Sequence, residues 1–460
     1  MKISAVLVAL LSPSFACLAL AHCEPLKLLG SDTAADDRFG VSVAIDGNIA
    51  VVGAYLNDSN GPNCGAAYVY ELSGSRLIEH QKLTPSDGFP GDQFGRSVDV
   101  CGDTIVIGSY LDDNTDPNTG SAYVFTCASG VWSQQQKLTA TDAAAGDQFG
   151  ISVSVSSDAI VVGAYGDNSH TGAAYVFVRN GPIWGQQQKL TISDANTNDM
   201  FGYAVVIDAN TLIIGARNNN HSGLDDAGSA YIFTRTGQIW SQQAVLFASD
   251  ASIADHFGFS VAIDGNWAVI GAYECDINGV PDAGAAYVFA RTDAGWVERQ
   301  KLFDANDPCS SEDFGWSVAI ENDTILAGCP SDSLDGKQTG SVFEFVRSGV
   351  TWVQRDRLTA PDANKDDGFG SSVALSAGRL IVGAPYDDDA GLNSGSAYIF
   401  NSSAGDFDGD SDVDFYDFAV LADSWLQNDP LRDIAPPPFG DGIVDIMDLA
   451  VLCDNWLAGK

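Results

Sequence analysis

Hydrophobic residues along this chain gather in short runs, rich in Val, Ile, Ala, Tyr and Phe, each bounded by Gly, Asp, Asn or Ser. Runs of that kind predict β-strands separated by turns. One stretch contains every part: Asp92-Gln93-Phe94-Gly95 with Ser97-Val98, then Thr104-Ile105-Val106-Ile107-Gly108, then Gly120-Ser121-Ala122-Tyr123-Val124-Phe125, then Trp132 and Gln136-Lys137-Leu138-Thr139. The same four segments recur. Phe-Gly pairs with an acid two or three residues upstream stand at Phe39, Phe94, Phe149, Phe201, Phe257, Phe314 and Phe369, spaced 55, 55, 52, 56, 57 and 55 residues apart. A fixed period of this size marks a repeat architecture. The first two segments of a unit are joined by tight turns such as Asp46-Gly47-Asn48 and Asp264-Gly265-Asn266, so each unit predicts a four-stranded antiparallel sheet.

Sheets of one period that cannot bury both faces alone either stack radially into a propeller or form a linear array. The ends of the repeat region favour the ring. The seventh unit has three strands, Phe369 to Phe400, and no Gln-Lys-Leu-Thr segment after Asn401. The missing segment lies at the other end, where LKLLGSDTAADDRFG, Leu26 to Gly40, aligns without a gap on QKLTATDAAAGDQFG, Gln136 to Gly150. A fourth strand supplied by the N-terminus would close the ring and leave no open edge. The expected fold is therefore all-β, a seven-bladed propeller over 26–401.

These residues resemble the FG-GAP repeat family, best known from the propeller head of integrin α subunits. Besides Phe-Gly, Gly-Ala-Pro-like segments stand at Gly53-Ala54-Tyr55, Gly163-Ala164-Tyr165, Gly271-Ala272-Tyr273, Gly328-Cys329-Pro330 and Gly383-Ala384-Pro385. The resemblance implies that the connections between strands two and three, and between strands four and one, share a ligand-binding face. Here those are the acidic loops: Leu111 to Thr119 with Asp112, Asp113 and Asp116; Asp167 to Thr171; Leu224 to Ala227 with Asp225 and Asp226; Asp387 to Asn393 with Asp387, Asp388 and Asp389. Loop variation on one rim of a repeated scaffold builds binding surfaces, although short Asp/Asn/Gly loops also simply solvate a rim. Integrin-type repeats carry calcium loops between strands one and two, a connection that has shrunk here to two or three residues, so those sites are not carried over. Adjacent acids at Asp387 to Asp389 lack the alternating spacing of a hard-cation loop.

Composition sharpens the picture. With 22 Lys+Arg against 61 Asp+Glu the net charge is -39, which argues against nucleic acid or an anionic membrane as partner. Only eight of the acids are Glu and 53 are Asp, the carboxylate of turns and metal loops, so helix should be scarce. Met1 to Ala21, with Lys2 followed by apolar Ile3 to Leu11, reads as a secretory signal peptide, and no later stretch approaches the roughly 20 apolar residues of a membrane span. The mature protein is expected to be secreted, extracellular or at the cell surface, with a monomeric propeller. After cleavage eight cysteines remain, a number that indicates an oxidising compartment but no pairing and no CxxC metal pattern.

Catalytic constellations are scarce. The five His, at 22, 80, 170, 221 and 256, form no HExxH, and neither a GxSxG elbow nor a phosphate loop occurs. The tryptophans at 132, 184, 240, 296 and 352 recur in register five residues before a fixed strand-four position, which predicts core packing over a carbohydrate platform. Trp316, near the inner strand, is the aromatic candidate for the central channel.

After Asn401 the composition changes, and 404–460 holds thirteen Asp, two basic residues and a helical periodicity absent elsewhere. Asp406, Asp408, Asp410, Asp412, Asp414 and Asp417 fall at positions 1, 3, 5, 7, 9 and 12 of an EF-hand-like Ca2+ loop. The pattern returns 31 residues later as Asp441, Asp445 and Asp448, with Pro437 and Phe439 in place of two ligands. Two loop-helix repeats of this form resemble a type I dockerin. That resemblance implies a small α-helical calcium module, partner-reading pairs at Phe415-Tyr416 and Ile446-Met447, and a cohesin-like extracellular protein as partner.

Together these readings predict a secreted, non-catalytic binding or adhesion protein. Its propeller face would take a protein or glycan, and its dockerin-like tail would dock in a calcium-dependent way. An enzyme or accessory subunit of extracellular polysaccharide degradation, and a structural surface or matrix protein, are the alternatives.

Overall fold

The computed structural model describes residues 25–401, apart from 74–75, 115, 306–311 and 335–336. Within them lie seven four-stranded antiparallel sheets, occupying 42–83, 94–138, 153–190, 201–246, 260–302, 317–358 and 372–401. These are blades one to seven. Blade two shows the plan: Phe94–Cys101, Thr104–Ser109, Ser121–Ala128 and Val131–Leu138, hydrogen-bonded in chain order from the channel outwards. The ring closes as the chain ends foretold. Leu26–Leu28 pairs with Ser396–Asn401 in the register Leu26↔Ile399, Lys27↔Tyr398 and Leu28↔Ala397, supplying the fourth strand of blade seven.

The apolar runs of the second strands follow from burial on both faces. In blade two Ile105 and Ile107 pack into the seam toward blade one, while Val106, between them, packs into the seam toward blade three. Side chains alternate across a strand, so a strand between two seams must be apolar at every position. The core is accordingly divided into seven clusters, one per seam, rather than gathered at a centre.

The name-giving motifs sit where one blade meets the next. Each Phe of Phe-Gly is buried against aromatic residues of strand three, as Phe94 is against Tyr123 (5.4 Å) and Phe125 (6.1 Å), both edge-on. The following Gly has φ near +90°, and the Gly of the Gly-Ala segment lies so close to the neighbouring blade that a Cβ on Gly108 would strike the Gly150 carbonyl oxygen. Serine hydroxyls then link successive inner strands, from Ser42 to Gly95 O (2.9 Å) through Ser372 to Gly40 O (2.8 Å) across the closure.

Helix is scarce among the described residues, limited to the single turn Asp167–His170. A two-stranded ribbon, Ser333–Leu334 with Lys337–Gln338, is an addition in the loop of blade six that no sequence signal announced. Cys64, Cys101, Cys127, Cys275 and Cys329 are free thiols. No helix among the described residues is long and apolar enough to cross a membrane. The segment Met1 to Ala21 and the calcium-loop and partner-reading residues of 404–460 lie outside the described residues.

Candidate functional site

In every blade strand one begins and strand two ends at the same edge, so the residues after Phe-Gly and after Gly-Ala meet at one mouth of the central channel. The residue after Phe-Gly is Val41, Arg96, Ile151, Tyr203, Phe259, Trp316 and Ser371 in the seven blades, and these positions, with Tyr55 and Tyr386 behind them, line a cavity of about 530 Å³. The scaffold is constant and this ring is not. Trp316 lines the channel, as its place near an inner strand suggested.

The aromatic members are concentrated on one arc. Tyr165 lies 5.7 Å from Tyr203, Tyr203 lies 5.2 Å from Phe259, and Phe259 lies 4.6 Å from Trp316 and 4.4 Å from Tyr273. The Arg217 guanidinium stacks over Tyr203 at 4.2 Å, and His256 stacks on Tyr273 at 5.6 Å with its Nε2 3.4 Å from Glu274. Rings held by one another keep their faces fixed, and a cation parked on one of them adds polar reach without mobility. Across the mouth Arg38 stacks on Tyr386 at 4.1 Å, and Arg96 extends the basic side. The arrangement is built for contact with apolar or CH-rich surface, flanked by charge for orientation.

The acidic loops, in contrast, are tied up within the fold. Asp112, Asp167 and Asp387 are buried, and each belongs to a nest made by the strand-four Lys, the strand-three Tyr opposite it, and an Asp from the connection leading into the blade. In blade two Lys137 Nζ lies 2.8 Å from both Asp87 and Asp112, and the Tyr123 hydroxyl donates to Asp87 (3.0 Å) and Asp112 (2.7 Å). Burial opposes ionisation of Asp87, yet the hydrogen bonds from Lys137 and Tyr123 outweigh it and hold the carboxyl below its usual range. Blade three repeats this with Lys189, Asp142, Asp167 and Tyr175. In blade seven Asp362, Asp387 and Asp389 come together around Lys27 Nζ at 2.8, 2.7 and 2.5 Å, so the chain's own ammonium occupies the position where a calcium ion at Asp387 to Asp389 would sit. The outer loop acids brace turns: Asp113 accepts from Asn118 N (2.7 Å) and Asp388 from Asn393 N (2.6 Å). The loop carboxylates named here are thus engaged within the fold, on the same edge of the blades as the ring after Phe-Gly.

Two further expectations were met with a reason. The connections between strands one and two are turns of two or three residues, such as 102–103, too short to wrap a cation with the six to eight oxygens that calcium takes. Trp132, Trp184, Trp240 and Trp352 are buried in the seams, where the main chain of each is clasped by a Gln of the preceding blade, as Gln136 accepts from Trp184 N (2.8 Å) and donates to Trp184 O (2.7 Å), whereas Trp296, the fifth of the series, is only half-buried. The variable ring escaped the sequence reading apart from Trp316, although a signal was present: within Phe-Gly-x-Ser-Val only x changes freely from blade to blade.

Comparison with known proteins agrees with the geometry. Human integrin alpha-11 is 32% identical over 126 residues, which is 24% of this chain and 10% of that protein, so the match spans about a tenth of the relative's length. A family model described as the FG-GAP repeat matches seven times, at 24–70, 78–125, 132–177, 184–233, 240–289, 296–345 and 352–400. Seven matched repeats over more than half of the sequence, each spanning strand four of one blade and the first three strands of the next, place this chain in the FG-GAP repeat family.

Proposed function

We propose that this chain is an extracellular, non-catalytic binding and adhesion protein whose channel mouth holds a protein or glycan ligand. The variable ring carries this reading: seven equivalent positions on a constant scaffold bear Val, Arg, Ile, Tyr, Phe, Trp and Ser, with the aromatic ones gathered on one arc beside Arg217. Clustered Trp, Tyr and Arg are the side chains that dominate interface energetics. The integrin likeness supports an extracellular or cell-surface setting.

The segment 404–460 would serve as the anchoring module. Asp406, Asp408, Asp410, Asp412, Asp414 and Asp417 supply the oxygens of a first Ca2+ loop, Asp441, Asp445 and Asp448 those of a weaker second one, and Phe415-Tyr416 with Ile446-Met447 would read a cohesin-like partner. The alternating Asp spacing supports this part. The test uses the full chain on panels of secreted proteins and glycans, with calcium and with chelator. Trp316→Ala together with Tyr203→Ala should weaken propeller-dependent capture by about tenfold or more, while Asp406→Ala and chelator should remove only tail-dependent capture. Capture indifferent to both pairs of changes would sink the assignment.

A further inference from the structure

The seven nests at the outer rim of this face are not equal. Six blades place a cation at the strand-four position opposite the strand-three aromatic residue: Lys27, Lys82, Lys137, Lys189, Lys301 and Arg357. The five lysines of the Tyr nests lie 5.1 to 5.3 Å from the centre of the Tyr ring and hydrogen-bond the Asp of the incoming connection. In blade four the register is the same, Tyr231↔Val245, but the cation is gone.

The rest of that nest is kept in residue type, without the bond from Tyr to the incoming Asp that the five sister blades make. Tyr231 is fully buried, and its hydroxyl has no hydrogen-bond partner among the described residues, whereas those of Tyr123 and Tyr175 each have two. Ser229 beside it donates to Asn219 Oδ1 (2.7 Å) instead. The Asp194 carboxylate, equivalent to Asp87 and Asp142, takes part in no ion pair among the described residues. The chain thus keeps a carboxylate, an amide oxygen, a phenol oxygen and a ring face at the positions where, in five sister blades, an Asp, a loop Asn, Asp or Cys and a Tyr surround one ammonium group.

We infer that the blade-four nest of Asp194, Asn219 and Tyr231 binds a primary ammonium supplied from outside the chain. Three N–H donors match the carboxylate, amide and phenol oxygens, and the ring face adds cation–π attraction. Phe247, two residues beyond Val245, is partly exposed and packs 4.3 Å from His221 of the Asn219 loop, an apolar ledge suited to an alkyl stem. A lysine side chain and a small alkylamine share this chemistry. The inference stands apart from the channel-mouth reading, since strand four is the outermost strand and the ring after Phe-Gly belongs to the innermost.

The test is a ligand-observed NMR titration of the full chain with n-butylammonium, and in parallel with Nα-acetyl-lysine methylamide, at constant ionic strength. Saturable binding is expected, weakened about tenfold or more by Val245→Lys, which supplies the nest with an internal ammonium. Tyr231→Phe should keep the wild-type unfolding midpoint, because the lost hydroxyl had no partner, and still weaken binding. Tetramethylammonium, which has the charge without N–H donors, should bind far less. A preference for the lysine derivative assigns the site to a protein lysine, and equal affinities assign it to the bare ammonium. The inference is overturned by absence of saturable binding, by displacement with an equal concentration of potassium, or by equal binding to wild type and Val245→Lys. Should Val245→Lys not fold, unchanged binding to Tyr231→Phe and to Asp194→Asn overturns it equally.

Discussion

The seam between blades two and three and the seam between blades four and five are built on one plan and bonded to different extents. At the former, Ser97 donates to Gly150 O (3.0 Å), and Gln136 clasps the main chain of Trp184 from both sides. At the latter, Ala204 stands for the serine and Ala244 for the glutamine, so neither link exists, and Trp296 Nε1 is buried without a partner. The seam keeps Ser249 on Glu298 (2.9 and 2.7 Å), Gly265 N on Asp208 (2.8 Å), His256 Nδ1 beside Arg217 O (3.2 Å) and the main-chain bonds of Ala254, His256 and Phe257 to Asp225, Asp226 and Ala227, over an equally apolar core. The difference teaches that burial and glycine-permitted approach make the ring, while the polar links adjust how firmly each blade is held. Blade four also lacks the nest lysine, so its differences from the plan fall on its outer strand and on the side facing blade five.

The harshest way to break the comparison is to attack what both seams share. Gly108→Ala and Gly215→Ala each place a methyl group against the carbonyl of Gly150 or Gly258, and each should cost about 3 kcal/mol or more in denaturant unfolding. A milder cost for Gly215→Ala would show the fourth seam yielding where the second cannot.

Next in size is a pH effect. Burial pushes the carboxyl of Asp92, which accepts from Phe89 N at 2.6 Å, up to about 6, so the folded state holds a proton that the unfolded chain releases near pH 4. Stability should therefore fall by about 2 kcal/mol as pH rises from 4 through 6, the opposite sign to Asp87, whose lowered pKa makes stability fall below pH 4. Asp92→Asn should flatten the upper limb of the pH profile, and a profile unchanged by that substitution would contradict the assignment.

Removing the clasp with Gln136→Ala should cost about 1–3 kcal/mol, because the Trp184 main chain stays buried without partners. The reverse change sharpens the comparison: Ala244→Gln should recover up to about 1 kcal/mol by engaging Trp296, and Ala204→Ser about 0.5–1 kcal/mol through Gly258 O. Additive gains in the double variant would establish the two links as independent, as expected of groups at opposite ends of a blade.

Much of this architecture was legible in the sequence. The Phe-Gly period gave the blades, the turns between strands one and two gave their antiparallel order, and the match of Leu26 to Gly40 with Gln136 to Gly150 gave the closure. The register of the tryptophans announced their burial. The nests were hidden for a physical reason: Lys137 is five residues from Asp142 in the chain but bonds Asp87, a full period earlier, because consecutive connections bracket the same blade. Acidic loops therefore looked like open rim, although Asp112, Asp167, Asp387 and Asp389 face an internal ammonium. The ring after Phe-Gly was visible as variation at one register position, yet only the seven-fold arrangement makes those isolated residues neighbours.

The sequence by itself determined what is local and repeated: strand, turn, period and the number of blades, since those depend on side-chain alternation and on glycine where backbones touch. Only the tertiary structure decided which charges are paired and which side chains share the channel mouth. Those contacts join residues roughly 50 positions apart, and no local pattern encodes the angle at which one blade is set against the next.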